Sequence, residues 1–492
     1  MKHSSLSRRR FLKMAGSLGA VSAAGHTMGT SFFPSARAQS QGTPPLLFVV
    51  AAAGGASITD SFLAVRSADS QGGGGLNTFS DAMLSQPFGS AFRIPKTVDA
   101  SIEGAIDLGN QYPMNQFLTK HGSDVSVLTQ ECTSVNHLIG AKRCLNGNQI
   151  NAGRTIQEAM ALRWGEGLLL PNANMSGGGY ILPGDDDSIP NWARAEPIAD
   201  AKLFAFSTHP SRGIKGAPDE NLLAHARQVR SSVEAASPFL RTFKNSSLIQ
   251  NYQSRRALMA SQMEAANLIQ KLMLFQNSGQ VPLSDFDLES SPLSASLISH
   301  FPKMLTDPYE GQAALAFLLA RYGVSNAITF GVGSSPVFES TERIVNAPIG
   351  FDWSHNDHLG GQNTMWSRVL KTLDGLIDLL KTTDYLGDPT KGKMWEHSLI
   401  FVATEFGREK SAGGGGSGHH LNNGNVIISP LIKGNKVYGG VDPNTLLTYG
   451  FDPQTGQPAP GTLMHEEHVY SAVAHALDID FPNRINMPGL LA

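Results

Sequence analysis

Apolar positions along this chain fall into two textures, short unbroken runs and longer segments with helical spacing. The run at 46–53 (LLFVVAAA) is stopped by Gly54-Gly55 and predicts a strand buried on both faces of a parallel sheet. Runs at 123–129 (SDVSVLT), 326–330, 398–404 (SLIFVAT) and 425–428 predict further strands. Between them the period changes. Met365, Trp366, Val369, Leu370, Leu373, Leu376, Ile377 and Leu380 recur at three- and four-residue steps, which predicts a helix over 365–380 capped by Asn363. A second helix is predicted over 310–319, running into the strand at 326–330. Alternation of this kind predicts an α/β fold, a mostly parallel sheet with helices on both faces. Residues 218–276 differ, being rich in Ala, Leu, Gln and Arg with few β-branched clusters. They predict two or three helices forming an insertion, followed by a loop over 280–297.

The first 38 residues carry a different signal. Ser7-Arg8-Arg9-Arg10-Phe11-Leu12-Lys13 has the form of a twin-arginine export motif. A weakly apolar run follows, then Ala36-Arg37-Ala38, a small-residue cleavage site. Gly16, Gly19, Gly25, His26 and Gly29 interrupt the run, whereas crossing a bilayer takes about 20 mostly apolar residues. The expectation is a signal peptide over 1–38, use of the twin-arginine translocon, and a folded periplasmic or secreted product that is not an integral membrane protein. The remaining 454 of 492 residues contain no evident linker and are expected to form a single domain over 39–492. Removing 1–38 takes away six of the 38 basic residues and none of the 41 acidic ones, leaving 32 − 41 = −9. That balance, with no basic stripe, argues against nucleic acid as a partner. Cys132 and Cys144 remain, either bonded to each other in an oxidising compartment or buried as free thiols.

In a parallel α/β sheet ligands bind beyond the carboxyl ends of the strands, so the residues that follow each run are the candidates. These are Gly54, Gly55, Ser57 and Asp60; the segment ending in His137; Asp352, His355, Asp357 and His358; Glu405 and Arg408; and His419-His420. Asp, Glu and His converging on one edge are what a hydrolase needs to hold a divalent metal against an oxyanion. His465-Glu466-Glu467-His468 has its histidines three apart rather than four, and reads as a solvated helix start.

The blocks AAGGASITDSF, TSVNHLIGAKRCLNG, FDWSHNDH, ATEFGREK and SGHH resemble an uncharacterised family of twin-arginine-exported bacterial proteins. That family looks like a branch of the alkaline phosphatase and sulfatase superfamily, and the resemblance covers roughly residues 44–480. It implies an alkaline phosphatase-like sheet and a first metal site on Asp352, His355 and His420, with His358 an alternative to His355. For a second metal the pattern wants an Asp after the first strand and an Asp-His pair after the fourth. The chain has Ala53-Gly54 and Glu405-Phe406 there, so Glu405 alone is left to serve, with Asp60 a stand-in for the missing Asp. The nucleophile place falls at Thr133 and Ser134, where helix capping alone also accounts for the hydroxyls. His137 is expected either to hydrogen-bond a ligand or to cap a neighbouring carbonyl, and Arg408 either to bind an ester oxygen or to pair with Glu405 or Glu409. One expectation is a hydrolase of phosphate or sulfate esters using Ser134, His137 and Arg408. It would carry one zinc, manganese or iron ion and act on a small anionic ester or anionic glycan. The other is an inactive binding or scaffolding protein on the same fold.

Overall fold

The computed structural model describes residues 43–492 apart from 72–74, 88, 97–111, 210, 247–248, 251, 254–261, 333–349 and 412–414. The proposed signal at 1–38 lies outside the described residues.

The apolar runs form the strands of an eight-stranded sheet. In chain order these are β1 (Leu46–Ala52), β2 (Val125–Glu131), β3 (Asn172–Asn174), β4 (Glu196–Pro197), β5 (Ala327–Val332) and β6 (Ser398–Ala403). A small hairpin, β7 (Gly407–Arg408) with β8 (His419–His420), lies outside the large sheet, which β9 (Asn422–Ile428) and β10 (Lys436–Tyr438) complete. The spatial order is β10-β2-β9-β6-β1-β5-β3-β4. Only β9 runs antiparallel to its neighbours, so the sheet is mixed but mostly parallel. Every residue of β1 is buried, as its unbroken apolar run requires.

Helices cover both faces. Strand alternation sends Thr329 and Phe330 to opposite sides of β5. Gln157 in α3 (Ile156–Trp164) donates to Thr329 at 3.0 Å, while Tyr309 in α5 (Pro308–Arg321) packs its ring 5.7 Å from that of Phe330. The remaining helices used below are α1 (Met114–His121), α2 (His137–Asn146), α4 (Glu220–Ala236), α6 (His358–Thr382) and α7 (Glu466–Ala476). On the Thr329 side, α2, α3 and α7 share a hydrophobic core with Leu47, Val49 and Ala51 of β1.

Several local expectations shift. Helix α6 begins at His358, seven residues before 365, because Asp357 caps it by accepting from the Gly360 amide; Asn363 sits inside. Helix α2 is capped by Asn136, whose side chain accepts from Leu138 and Ile139, so neither Thr133 nor Ser134 is its cap. Within 218–276 lie α4, Pro238–Phe243 and Leu268–Lys271; α4 buries none of its residues. The stretch 280–297 contains a 3-10 turn, Leu283–Phe286, and the start of a helix, Ser294–His300. Glu466 opens α7 from a buried position rather than a solvated one, accepting from both the Thr133 amide and hydroxyl. Cys132 and Cys144 are free and buried. Among the described residues no helix is long and apolar enough to cross a membrane.

Candidate functional site

Three central strands end in small residues. Ala51 of β1 lies level with Gly331 of β5 and Ala403 of β6. Ala51 and Gly331 border a cavity of about 210 Å³ beyond the strand ends, walled further by Ala53, Gly54, Gly177–Gly179 and Tyr180. Asp352, Glu405 and His137 supply its polar lining. Pockets for drug-sized ligands run to roughly 300–1,000 Å³, so this one suits a small head group.

The backbone around Asp352 is fixed from several sides. Gly54 has φ +97°, and a Cβ there would fall 2.1 Å from the Asp352 amide nitrogen, so only glycine lets the two turns approach. The Phe351 amide donates to Ala53 at 2.8 Å, and the Phe351 ring meets Trp366 of α6 edge-on at 5.3 Å. Gln362, also in α6, donates to both the Gly55 carbonyl and the Ser354 hydroxyl at 2.9 Å. The periodic apolar helix thus anchors the turn that carries the chemistry.

Three imidazoles converge on one carboxylate oxygen. Asp352 Oδ1 lies 3.3 Å from His355 Nε2, 3.5 Å from His137 Nε2 and 3.8 Å from His419 Nε2. His355 and His419 bring their Nε2 atoms within 2.9 Å of each other. The other ring nitrogens fix the tautomers. His137 Nδ1 lies 3.0 Å from Glu405 Oε1, and His419 Nδ1 lies 2.9 Å from the Val135 carbonyl. Carboxylate and carbonyl oxygens only accept, so each Nδ1 carries the proton. In the neutral rings the unprotonated Nε2 atoms of His137 and His419 then lie 3.5 and 3.8 Å from an anionic oxygen. Unprotonated ring nitrogens beside an anion repel it unless a proton or a cation lies between them. Phe406 stacks on His419, with ring centroids 4.0 Å apart, and fixes its plane.

Glu405 is the hub behind His137. Its side chain is 1% exposed and accepts from the Gly54 amide at 2.7 Å, the Tyr180 hydroxyl at 2.7 Å and His137. The hydrogen bond to Glu405 raises the His137 pKa above its usual value, against partial burial. Burial lowers that of His419, and the nearby Arg408 guanidinium adds to the lowering. Tyr180 is pushed well up by burial and by Glu405, so its hydroxyl stays protonated and donates.

Arg408 is wholly buried and surrounded by acceptors. Its guanidinium donates to Asp352 at 3.0 Å, to the Ser417 carbonyl at 3.0 Å and to the Gly54 carbonyl. It pairs with Asp352, not with Glu405 or Glu409, and does not line the cavity. Its Nη1 also lies 3.4 Å from His355 Nε2, which makes His355 the most contested of the three imidazoles.

The structure brings together Asp352, His137, His355, Glu405 and Arg408 of the residues singled out in the sequence. It leaves others elsewhere. His420 faces away from Asp352 because neighbours on a strand point to opposite sides. Its Nδ1 accepts from the Asn422 amide, and its charged neighbours are Lys410, Glu131 and Glu409. His358 is buried 3.1 Å from Asp60, which is also held by Ser57 and Asn77. The Ser134 hydroxyl accepts from the Asn136 amide and does not line the cavity. Sequence reasoning passed over His419 in favour of its neighbour, and missed Tyr180 entirely. The Ser176-Gly177-Gly178-Gly179-Tyr180 run, one residue beyond β3, was the available signal.

As a cation site the donor set fits. Bonds of about 2.0–2.2 Å to a tetrahedral ion place neighbouring donors roughly 3.3–3.5 Å apart, close to the 3.5 Å from Asp352 to His137 and a little under the 3.8 Å to His419. His137 and His419 have their second nitrogens held by Glu405 and Val135, the outer support that imidazole ligands need. A second group, His121, Asp374 and Asp378, is already occupied by Lys120, which bonds both carboxylates. A comparison with protein-family models finds no match, and a comparison with curated proteins finds none.

Proposed function

We propose that this chain is an exported, mononuclear metal-dependent hydrolase of anionic esters, on an alkaline phosphatase-like sheet with a helical insertion over 218–276. The observation that carries the reading is the convergence of His137, His419 and Asp352, whose ligand atoms lie within 4.8 Å of one another. Asp352, His137 and His419 hold the ion. The mixture of imidazole and carboxylate suits zinc, manganese or iron. When bound, such an ion supplies Lewis-acid polarisation of an ester oxygen. The protein's own residues hold the geometry: Glu405 keeps the proton on His137 Nδ1, and Arg408 orients Asp352. In the reaction the ester oxygen–phosphorus or oxygen–sulfur bond breaks and a water oxygen joins the central atom. One water proton goes to the leaving alcohol, and alcohol and inorganic oxyanion depart. The export motif supports a periplasmic or secreted location.

A second reading is a binding protein on the same fold. Among the described residues no serine or threonine lines the cavity, and the Tyr180 hydroxyl is engaged by Glu405.

Metal content by elemental mass spectrometry tests the proposal. About one equivalent is expected in the protein and none in the Asp352→Ala, His419→Ala double variant. No metal in either protein after incubation with zinc, manganese or iron would sink the hydrolase mechanism. Metal without turnover across sulfate and phosphate esters would leave the binding protein.

A further inference from the structure

We propose that the exposed face of helix α4, with the short helix Pro238–Phe243 that follows it, docks this protein onto the surface of an anionic lipid bilayer. The inference stands apart from the hydrolase reading. Helix α4 packs with one face and presents another. Leu223, Arg227 and Glu234 are its partly covered positions, and Arg227 bonds Glu264 through both terminal nitrogens, at 3.1 and 2.6 Å. At 3.6 residues per turn these positions lie roughly 120° round the helix from a second row, Leu222, Ala226, Val229, Val233 and Ala236. That row steps by four and three, is apolar throughout and is exposed, Leu222 by 54%, Val229 by 49% and Val233 by 65%. The apolar stripe of α4 is therefore not the face that packs on its own protein.

The charges sort with the stripe. His225 and Arg230 flank it, whereas Glu220 and Glu234 lie on the far side of the helix. Phe239 and Phe243 extend the apolar surface, 59% and 49% exposed with ring centroids 4.9 Å apart, and the exposed Arg241 and Lys244 neighbour them in sequence. Residues 218–276 hold seven basic and four acidic residues, a balance of +3. The rest of 39–492 holds 32 − 7 = 25 basic and 41 − 4 = 37 acidic residues, a balance of −12. The basic excess thus coincides with the exposed apolar face. Such a helix lies in the headgroup plane, its apolar side chains among the acyl chains and its cations on lipid phosphates. A second copy of the chain fits this face less well. The row covers little more than two heptads, where a coiled-coil seam sustains three or four, and a copy would bring the same basic excess to the contact.

Vesicle flotation of the full chain tests the proposal, with Arg8→Gln, Arg9→Gln and Arg10→Gln in every sample to silence the basic segment ahead of residue 38. Vesicles of equal parts phosphatidylglycerol and phosphatidylcholine are compared with phosphatidylcholine alone. Binding to the anionic vesicles is expected to be at least about tenfold tighter and to weaken as salt is added. Val229→Gln with Val233→Gln, and separately Arg230→Gln with Arg241→Gln and Lys244→Gln, are each expected to weaken it at least about tenfold. All of these side chains are exposed, so both variants are expected to keep the denaturant midpoint of the unaltered protein. No binding to the anionic vesicles, or equal binding to both kinds, overturns the inference. So does binding that either variant leaves unchanged. Sedimentation without lipid is the remaining check, and a mass unaffected by Val229→Gln with Val233→Gln is expected. A dimer that this pair of substitutions converts to monomer assigns the face to a second copy and overturns the proposal.

Discussion

Two assemblies of aspartate and histidine lie near each other in this protein and behave oppositely. His355 and His358 are three residues apart, yet one reaches the cavity and the other a sealed pocket. Around Asp60 every oxygen is answered. Ser57 and Asn77 donate at 2.5 Å each, and His358 Nε2 lies 3.1 Å away. Burial acts to raise the Asp60 pKa, but the His358 charge and these hydrogen bonds outweigh it and hold the carboxyl below its usual value. Around Asp352 the same residue types leave unprotonated ring nitrogens beside a carboxylate that borders the cavity. A carboxylate whose oxygens are both answered stabilises a fold, whereas one left beside unprotonated ring nitrogens is arranged for something that arrives later.

The contrast breaks most visibly if the two aspartates are exchanged for neutral residues. Asp60→Asn is expected to cost about 3–5 kcal/mol, since it leaves His358 and Lys410 without their buried counter-charge. Its metal content should stay at the wild-type level. Asp352→Asn should show the reverse, metal lost with a smaller change in the denaturant midpoint. Loss of metal in Asp60→Asn at a temperature where it remains folded would merge the two assemblies into one.

A smaller effect separates ligands from their supports. Glu405→Gln is expected to weaken metal binding about 10–100-fold in a chelator competition without abolishing it, as for other outer partners of ligating histidines. Complete loss would make Glu405 a ligand itself.

The sealed cluster should also leave a signature in alkali. Burial lowers the Lys410 pKa from 10.5 to about 8. Between those values the unfolded chain binds more protons than the folded one, so stability is expected to rise with pH across that window. Lys410→Met should remove that rise, measured by denaturant unfolding at several pH values. The smallest effect is expected at His420. His420→Ala should change neither metal content nor stability by more than about 0.5 kcal/mol.

How far the site was legible follows from which physical rule governs each residue. Asp352, His137 and Glu405 were found because each follows a strand, and parallel sheets collect such residues at one edge. His419 was within reach, but choosing between it and His420 required knowing which way a two-residue strand faces. A one-residue shift reverses that. Tyr180 was missed because β3 reads Asn172-Ala173-Asn174, a buried strand without an apolar run to announce it. Its backbone is satisfied by β5 on one side and β4 on the other. The longer helix α6 was legible through its period, yet its start was not, because the capping Asp357 sits in a polar stretch that gives no periodic signal.

Sequence by itself determined the alternation of strand and helix, the strands buried on both faces, and the set of residue types available to one edge. Those follow from hydrophobic period, which is a local property of the chain. Tertiary structure decided which histidines meet Asp352 and which seal Asp60. It also decided that Arg408 is spent on Asp352 and the backbone carbonyls of Gly54 and Ser417. Those outcomes depend on distances of a few ångströms between segments hundreds of residues apart, such as Gly54 and Glu405, and no local pattern encodes them.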